Sequence, residues 1–135
     1  RRALLRQPAT DVACPISDGE DLGRLSTDSS IPWLVLPDHG QHVSPLHARI
    51  EATTQGWAIA DTSLNGTYVR EDGVWTHLLS EHGRERRREG GADPASIPDR
   101  AGTVLAAGTT IAPVHPDYGI ELVFEPIDAA DATFE

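Results

Sequence analysis

The chain contains no lysine, no methionine and only one cysteine. Its positive charge is carried by 11 arginines against 21 acidic residues, which leaves a formal net charge of −10 at pH 7. A surface with this excess of acid repels nucleic acid and anionic lipid. The composition therefore disfavours general binding to either.

The lone cysteine, Cys14, excludes an internal disulfide framework and fits a reducing compartment, so we expect a cytoplasmic protein. It lies in the apolar stretch V-A-C-P-I, where a small buried side chain is the natural interpretation. No apolar run reaches the roughly 18–20 residues that a membrane-spanning helix needs. We therefore expect no segment of this sequence to cross a membrane.

The length of 135 residues suits one domain, and 12 glycines with 10 prolines favour short elements joined by turns. We place the domain at residues 1–126 and expect the acidic tail, residues 127–135, to fray. Because residue 1 is Arg rather than Met, we expect the sequence to be a fragment or a processed product.

Alternating apolar and polar residues predict strands along most of the chain. In the stretch 47–52, Ala48 and Ile50 alternate with Arg49 and Glu51, and the same period of two recurs over 57–61. Gln55-Gly56 separates these runs and predicts a hairpin. The other predicted strands are 3–7, 11–16, 22–25, 33–36, 67–69, 74–79, 104–105, 109–111 and 120–124. So many short strands without a convincing helix predict an all-β sandwich.

Residues 80–101 depart from this pattern. They are dense in charge, Gly and Pro and show no apolar period, so we predict a long exposed loop. Arg84 and the run Arg86-Arg87-Arg88 form a small basic cluster there, flanked by glutamates. A solvated loop explains this cluster more simply than a nucleic-acid contact does.

Three short motifs follow one another in a fixed order: Gly23-Arg24, then S-x-x-H-A from Ser44, then D-x-S-x-N-G-T-Y-V from Asp61. Arg24 and Ser44 supply a guanidinium fork and a hydroxyl, the donors that best bind a phosphate group. Asn65-Gly66 is typical of a tight turn that needs positive φ, and Asn65 is the chain's only asparagine.

In this order the motifs resemble the forkhead-associated (FHA) domain, from about residue 3 to residue 125. The resemblance implies an FHA-like sandwich of about eleven strands that binds phosphothreonine peptides through loops at one end. It implies no catalysis, no cofactor and no small-molecule substrate, and a phosphothreonine-bearing protein as partner.

The resemblance also assigns roles to residues. Arg24 and Ser44 would bind the phosphate, Asn65 the peptide backbone, and His42 would read the peptide beyond the phosphothreonine. The expected phosphopeptide-binding set is Arg24, His42, Ser44, Pro45, Leu64, Asn65 and Gly66, and the expected loop-bracing set is Gly23, His47, Asp61 and Ser63.

Three positions depart from the family pattern. Pro45 has no N–H where the family commonly has Arg, Lys or Asn, and Leu64 lacks the hydroxyl often found before Asn-Gly. The turn after Val69 reads Arg70-Glu71-Asp72-Gly73 rather than Asn-Gly, although Arg70 could restore a positive charge. These departures leave open an FHA-shaped scaffold that binds its partner without phosphate.

Some of these residues also belong to the types that form a hydrolase triad or a zinc site. Ser44, His47 and Asp61 are the residue types of a hydrolase triad, but no G-x-S-x-G elbow surrounds the serine. His39, His42 and His47 have a spacing that matches no strong zinc pattern and lack cysteine support. We therefore expect neither a catalytic triad nor a metal site.

Overall fold

The computed structural model describes residues 2–23, 42–44 and 46–127. The predicted strand at 33–36 and the tail beyond residue 127 lie outside these residues. The described strands are β1 (Arg2–Gln7), β2 (Val12–Ser17), β3 (Glu20–Leu22), β4 (Ala48–Thr53), β5 (Gly56–Asp61), β6 (Thr67–Glu71), β7 (Val74–Leu78), β8 (Gly102–Leu105), β9 (Thr110–Pro113) and β10 (Leu122–Ile127).

The strands form two antiparallel sheets, which confirms the predicted β-sandwich. One sheet has six strands in the order β2-β1-β10-β9-β6-β7, and the other has four in the order β3-β4-β5-β8. The predicted hairpin is also confirmed, because β4 and β5 pair from Ala48 opposite Asp61 to Thr53 opposite Gly56. β3 begins at Glu20, two residues before the predicted start of this strand at residue 22.

The core lies between the two sheets. Every second residue of a strand faces inward, as the burial along β1 illustrates with Ala3, Leu5 and Gln7. Trp57 of the four-stranded sheet meets Phe124 of the six-stranded sheet edge to face, with ring centroids 5.6 Å apart. This contact joins the two sheets.

Two of the strand prolines lie where one side of the strand has no partner strand. Pro15 lies in β2, an edge strand, where a residue without an N–H is tolerated. Pro126 lies in β10 beyond the two residues that pair with β9, so β10 has only β1 as a neighbour there. Cys14, also in β2, is buried in the core, as expected from its apolar surroundings.

The expectation that residues 80–101 lack a helix is wrong. Glu81–Glu89 forms an α-helix, α1, and Pro94–Ser96 forms a single 3-10 turn. Ser80 caps α1 by accepting a hydrogen bond from the Gly83 N–H, and the acid in the first turn and arginines in the last turn complement the helix dipole. The helix stays highly polar, which is why apolar periodicity does not reveal it.

Within the described part of the chain, no helix combines the length and the apolar character that spanning a bilayer requires.

Candidate functional site

Three loops meet at one end of the sandwich, and we refer to them together as the loop end. They are residues 42–44 with 46–47 before β4, residues 62–66 before β6, and residues 114–121 before β10. Thr62 joins the first two loops, since its N–H donates to the His47 carbonyl at 2.9 Å and its hydroxyl to the Leu46 carbonyl at 2.8 Å. The Val114 N–H donates to the Gly66 carbonyl at 2.9 Å, which attaches the third loop.

The imidazole of His47 is buried between the first two loops. Its Nδ1 accepts a hydrogen bond from the Ser44 N–H at 3.0 Å, so the proton of the neutral ring is on Nε2, 2.7 Å from the Gly66 carbonyl. Burial lowers the pKa of His47, against the opposing effects of the Gly66 hydrogen bond and of Asp61. The neutral ring therefore links Ser44 to Gly66.

The buried carboxylate of Asp61 organises the second loop. Its Oδ1 accepts the Ser63 hydroxyl at 2.6 Å and the Thr67 hydroxyl at 2.7 Å. Its Oδ2 accepts the Ser63 N–H at 3.2 Å and the Ser80 N–H at 2.9 Å. The Ser63 hydroxyl in turn accepts the Gly66 N–H at 2.7 Å, so the turn that carries Asn65 is held at both ends.

Four of the expected binding residues meet in two pairs across the loop end. The Ser44 hydroxyl oxygen accepts the Leu64 N–H at 3.3 Å, which leaves the hydroxyl hydrogen free to donate. The Asn65 side-chain amide donates to the His42 carbonyl at 2.8 Å. The structure thus brings His42, Ser44, Leu64 and Asn65 together, although they are separated by some twenty residues in the chain.

The backbone conformation and the close neighbours of residue 66 require a glycine there. Its φ is +96°, and a Cβ atom there would lie 2.3 Å from Nε2 of His77 and 3.0 Å from the Leu78 carbonyl oxygen. The ring of His77 therefore packs directly against the Asn65-Gly66 turn.

The residues that sequence reasoning missed come from distant parts of the chain. The hydroxyl of Tyr118 accepts the His42 N–H at 3.3 Å, and the two rings meet edge to face at 5.7 Å. Ser80 donates its hydroxyl to the Ser63 carbonyl at 2.7 Å, which attaches the start of α1 to the loop end. No local pattern signals these contacts, because they depend on how the sheets bring the loops together.

A comparison with protein families matches the FHA domain to residues 21–84, the stretch that holds both central loops and their bracing residues. The matched residues are similar to the FHA domain. A comparison with curated proteins finds no significant match.

Solved structures of FHA domains share the fold. EmbR of Mycobacterium tuberculosis, in complex with a low-affinity phosphopeptide, is 24% identical with a TM-score of 0.55 over 92% of this chain. An FHA domain from a study of phosphothreonine-dependent interactions is 21% identical, with a TM-score of 0.54 and coverage of 95% of this chain and 99% of its own. The FHA domain of CT664 from Chlamydia trachomatis is 17% identical, with a TM-score of 0.54 over 95% of this chain and 100% of its own. The chain spans only 24% of the length of EmbR.

Two of the expected binding residues, Arg24 and Pro45, lie outside the described residues. Gly23, directly before Arg24, is buried at a bend after β3. The His47 N–H donates to the Leu22 carbonyl at 2.6 Å, so the end of β3 is attached to the same loop end.

Ser44, His47 and Asp61 do not form a catalytic relay. Both ring nitrogens of His47 bind backbone groups, and the Asp61 carboxylate binds Ser63, Thr67 and Ser80 rather than the imidazole. Among the described residues, no group of three His, Cys, Asp or Glu side chains could hold a metal ion, and His39 lies outside them.

Proposed function

We propose that this FHA domain binds a phosphothreonine-containing protein and thereby mediates a phosphorylation-dependent interaction. The observation that carries the proposal is the convergence of the Ser44 hydroxyl, the Leu64 N–H and the Asn65 amide at the loop end. In this proposal the domain recognises its partner and performs no chemistry on it.

The phosphate contacts would form as follows. The Ser44 hydroxyl donates to a phosphate oxygen, and the Leu64 N–H turns from the Ser44 oxygen to the same anion. Leu64 contributes through its backbone, so the missing side-chain hydroxyl does not remove this donor. Arg24 supplies the guanidinium that neutralises the phosphate charge.

The peptide contacts would come from Asn65 and His42. In the free domain the Asn65 amide donates to the His42 carbonyl, an exposed contact that a peptide carbonyl can replace at little cost. The side chain of His42 is exposed beside Tyr118, where it can meet peptide residues beyond the phosphothreonine.

The solved FHA domains support this proposal, because one is bound to a phosphopeptide and another comes from work on phosphothreonine-dependent interactions. The single cysteine fits a signalling role in the reducing cytoplasm. The net charge of −10 works against a phosphopeptide at long range, so the contacts at the loop end must dominate.

The test measures how strongly the domain binds a degenerate library of phosphothreonine peptides. Unphosphorylated and phosphoserine libraries are the controls. Ser44→Ala and Arg24→Ala should each weaken binding by about tenfold to a hundredfold, the worth of a hydrogen bond to a charged group. Ser96→Ala, in an exposed 3-10 turn that is not part of the three loops of the loop end, is the matched control. Equal capture of all three libraries by the folded domain would refute the proposal.

The alternative is phosphate-independent binding by the same surface. It is favoured by two exposed leucines at the loop end, Leu46 with 50% and Leu64 with 43% of its surface accessible. A partner bound through these side chains would remain bound after phosphatase treatment and would be lost in a Leu46→Ser, Leu64→Ser double variant. A phosphate-dependent partner would be released by the phosphatase.

A further inference from the structure

The asparagine at the loop end is the only one in the chain, and a glycine follows it. Asparagine is one of the thermolabile residues of proteins, because the backbone nitrogen of the next residue can attack its side-chain carbonyl carbon and close a succinimide ring. A following glycine hinders this attack least, since it carries no Cβ. Asn65-Gly66 is therefore the position in this sequence where deamidation is to be expected.

The side-chain amide of Asn65 is accessible to this reaction. The Gly66 nitrogen loses its proton to water or hydroxide and bonds to Cγ of Asn65, while the side-chain nitrogen takes up a proton and leaves as ammonia. Water then opens the ring at either carbonyl and gives aspartate or isoaspartate. The leaving amide makes an exposed hydrogen bond, 2.8 Å long, to the His42 carbonyl, so water can reach it in the free domain.

The attacking nitrogen, in contrast, is buried and hydrogen-bonded. The Gly66 N–H donates to the Ser63 hydroxyl oxygen at 2.7 Å, and that hydroxyl donates in turn to Oδ1 of Asp61 at 2.6 Å. The carbonyl of the same glycine accepts hydrogen bonds from Nε2 of His47 at 2.7 Å and from the Val114 N–H at 2.9 Å. Three hydrogen bonds thus hold the glycine from both sides, and its nitrogen must break one of them to reach the asparagine side chain.

The same hydrogen bonds oppose removal of the amide proton. The hydrogen of the Ser63 hydroxyl is donated to Asp61, so the Ser63 oxygen faces the Gly66 N–H only as an acceptor. It has no hydrogen to offer the amide anion that attacks the asparagine. The buried carboxylate of Asp61 behind it carries a like charge, which raises the energy of that anion in surroundings of low dielectric constant.

We propose that Asn65 is a deamidation site which the Ser63–Asp61 pair restrains, and that its deamidation ends phosphopeptide binding. The restraint follows from the hydrogen bonds of the free domain, whereas the loss of binding rests on the proposed function. The asparagine amide donates a hydrogen bond, but the carboxylate that replaces it can only accept, and it repels the His42 carbonyl and a bound phosphate. Isoaspartate also adds an atom to the backbone of the turn, so neither product preserves the site.

The test follows deamidation of the folded domain at mildly alkaline pH. Liquid chromatography with mass spectrometry separates asparagine, aspartate and isoaspartate at residue 65. A capped synthetic peptide of residues 61–67 gives the rate without the fold, and the wild-type domain should react at least about tenfold more slowly than this peptide. Ser63→Ala removes the acceptor of the Gly66 N–H and should react about three- to tenfold faster than the wild type, the factor that one hydrogen bond supplies.

Thr67→Val is the matched control. The Thr67 hydroxyl is also buried and donates to the same Oδ1 of Asp61 at 2.7 Å, but its loss leaves the contact between Ser63 and Gly66 in place. This variant should deamidate at the wild-type rate. If Ser63→Ala does not fold, Ser63→Cys takes its place, because sulfur is a weak acceptor of similar size and should also accelerate the reaction.

Three results would overturn the restraint. They are a wild-type domain that reacts as fast as the peptide, a variant of Ser63 that reacts no faster than the wild type, and equal acceleration by Thr67→Val. The last result would mean that general loosening of the domain, rather than the hydrogen bond of Gly66, sets the rate.

The effect on binding is measured with Asn65→Asp, which has the sequence of one reaction product. It should bind the phosphothreonine library at least about tenfold more weakly than the wild type, and unchanged binding would overturn this part of the proposal. An aged wild-type sample should lose binding in proportion to its deamidated fraction. Failure of the fresh wild-type domain to bind any phosphopeptide would refute the proposed function, while the deamidation rates, which need no ligand, would still decide the restraint.

Discussion

Replacement of Asp61 should show how far one buried carboxylate stabilises this domain. The side chain is only 3% exposed and accepts four hydrogen bonds, two from hydroxyls and two from backbone N–H groups. The hydroxyls of Ser63 and Thr67 can rotate to other acceptors, but the N–H groups of Ser63 and Ser80 are fixed by the chain. Asp61→Ala therefore leaves two buried donors without an acceptor.

The magnitude follows from those two groups. A buried donor that loses its partner costs about 1–3 kcal/mol, so Asp61→Ala should lower the free energy of unfolding by about 2–6 kcal/mol. This is a large share of the roughly 5–15 kcal/mol that stabilises a typical domain. Asp61→Asn keeps one oxygen for the N–H pair and directs its amide group at the rotatable hydroxyls, so it should cost only about 1–3 kcal/mol.

The assay is equilibrium unfolding in urea, with Asp117→Ala as the control. The Asp117 side chain is 94% exposed, and its removal should change the free energy of unfolding by less than about 0.5 kcal/mol. A cost below about 1 kcal/mol for Asp61→Ala, or equal costs for the Ala and Asn variants, would refute the reasoning that the backbone donors depend on this carboxylate.

Two further predictions concern neighbouring residues. Gly66→Ala should lower the free energy of unfolding by more than about 2 kcal/mol, because a positive φ and a close approach to His77 and the Leu78 carbonyl act together. Thermal unfolding should show only the cost of positive φ for the control Gly73→Ala, where φ is +77° and no atom lies within 4 Å. Similar shifts of the unfolding temperature in the two variants would contradict the argument. The free energy of unfolding should also depend on pH, because burial lowers the pKa of His47 and the unfolded chain therefore binds more protons than the folded one. The contribution of neutral His47 to stability is complete above about pH 6.5, the pKa of an unperturbed histidine, and is lost as the pH falls towards the folded pKa. His47→Gln should flatten this slope of unfolding free energy against pH without abolishing it, since the pKa of His77 is lowered too; an unchanged slope would exclude His47 as a source.

Much of the sandwich could be predicted because strand burial has a simple period. Ala48 and Ile50 alternate with charged residues in the sequence and face the core in β4, and the Gln55-Gly56 turn fixed the partner strand. The Asn65-Gly66 pair likewise signalled a turn with positive φ. These features are local, so neighbouring residues suffice to reveal them.

The helix α1 escaped prediction because it buries almost nothing. Gly83 is its buried residue, and a Cβ there would lie 2.6 Å from a methyl carbon of Leu79 and 3.1 Å from the Ser63 carbonyl oxygen. The remaining signals were terminal ones: Ser80 followed by Glu81 at the start, and arginines before Gly90 at the end. Capping and helix-dipole signals, rather than periodicity, would have found this helix.

Asp61 also connects the Asn65 turn with the start of α1. Its Oδ1 accepts the hydroxyl of Ser63, which holds the Asn65 turn, and its Oδ2 accepts the N–H of Ser80, which begins the helix. A loop that is fixed before its ligand arrives avoids the conformational entropy that ordering the loop on binding would cost. One buried carboxylate that fixes both elements supplies this preorganisation. Ser80→Ala keeps the N–H but removes the hydroxyl that donates to the Ser63 carbonyl, so it should weaken phosphopeptide binding at the Asn65 turn, whereas changes at the exposed C-terminal end of α1 should spare it.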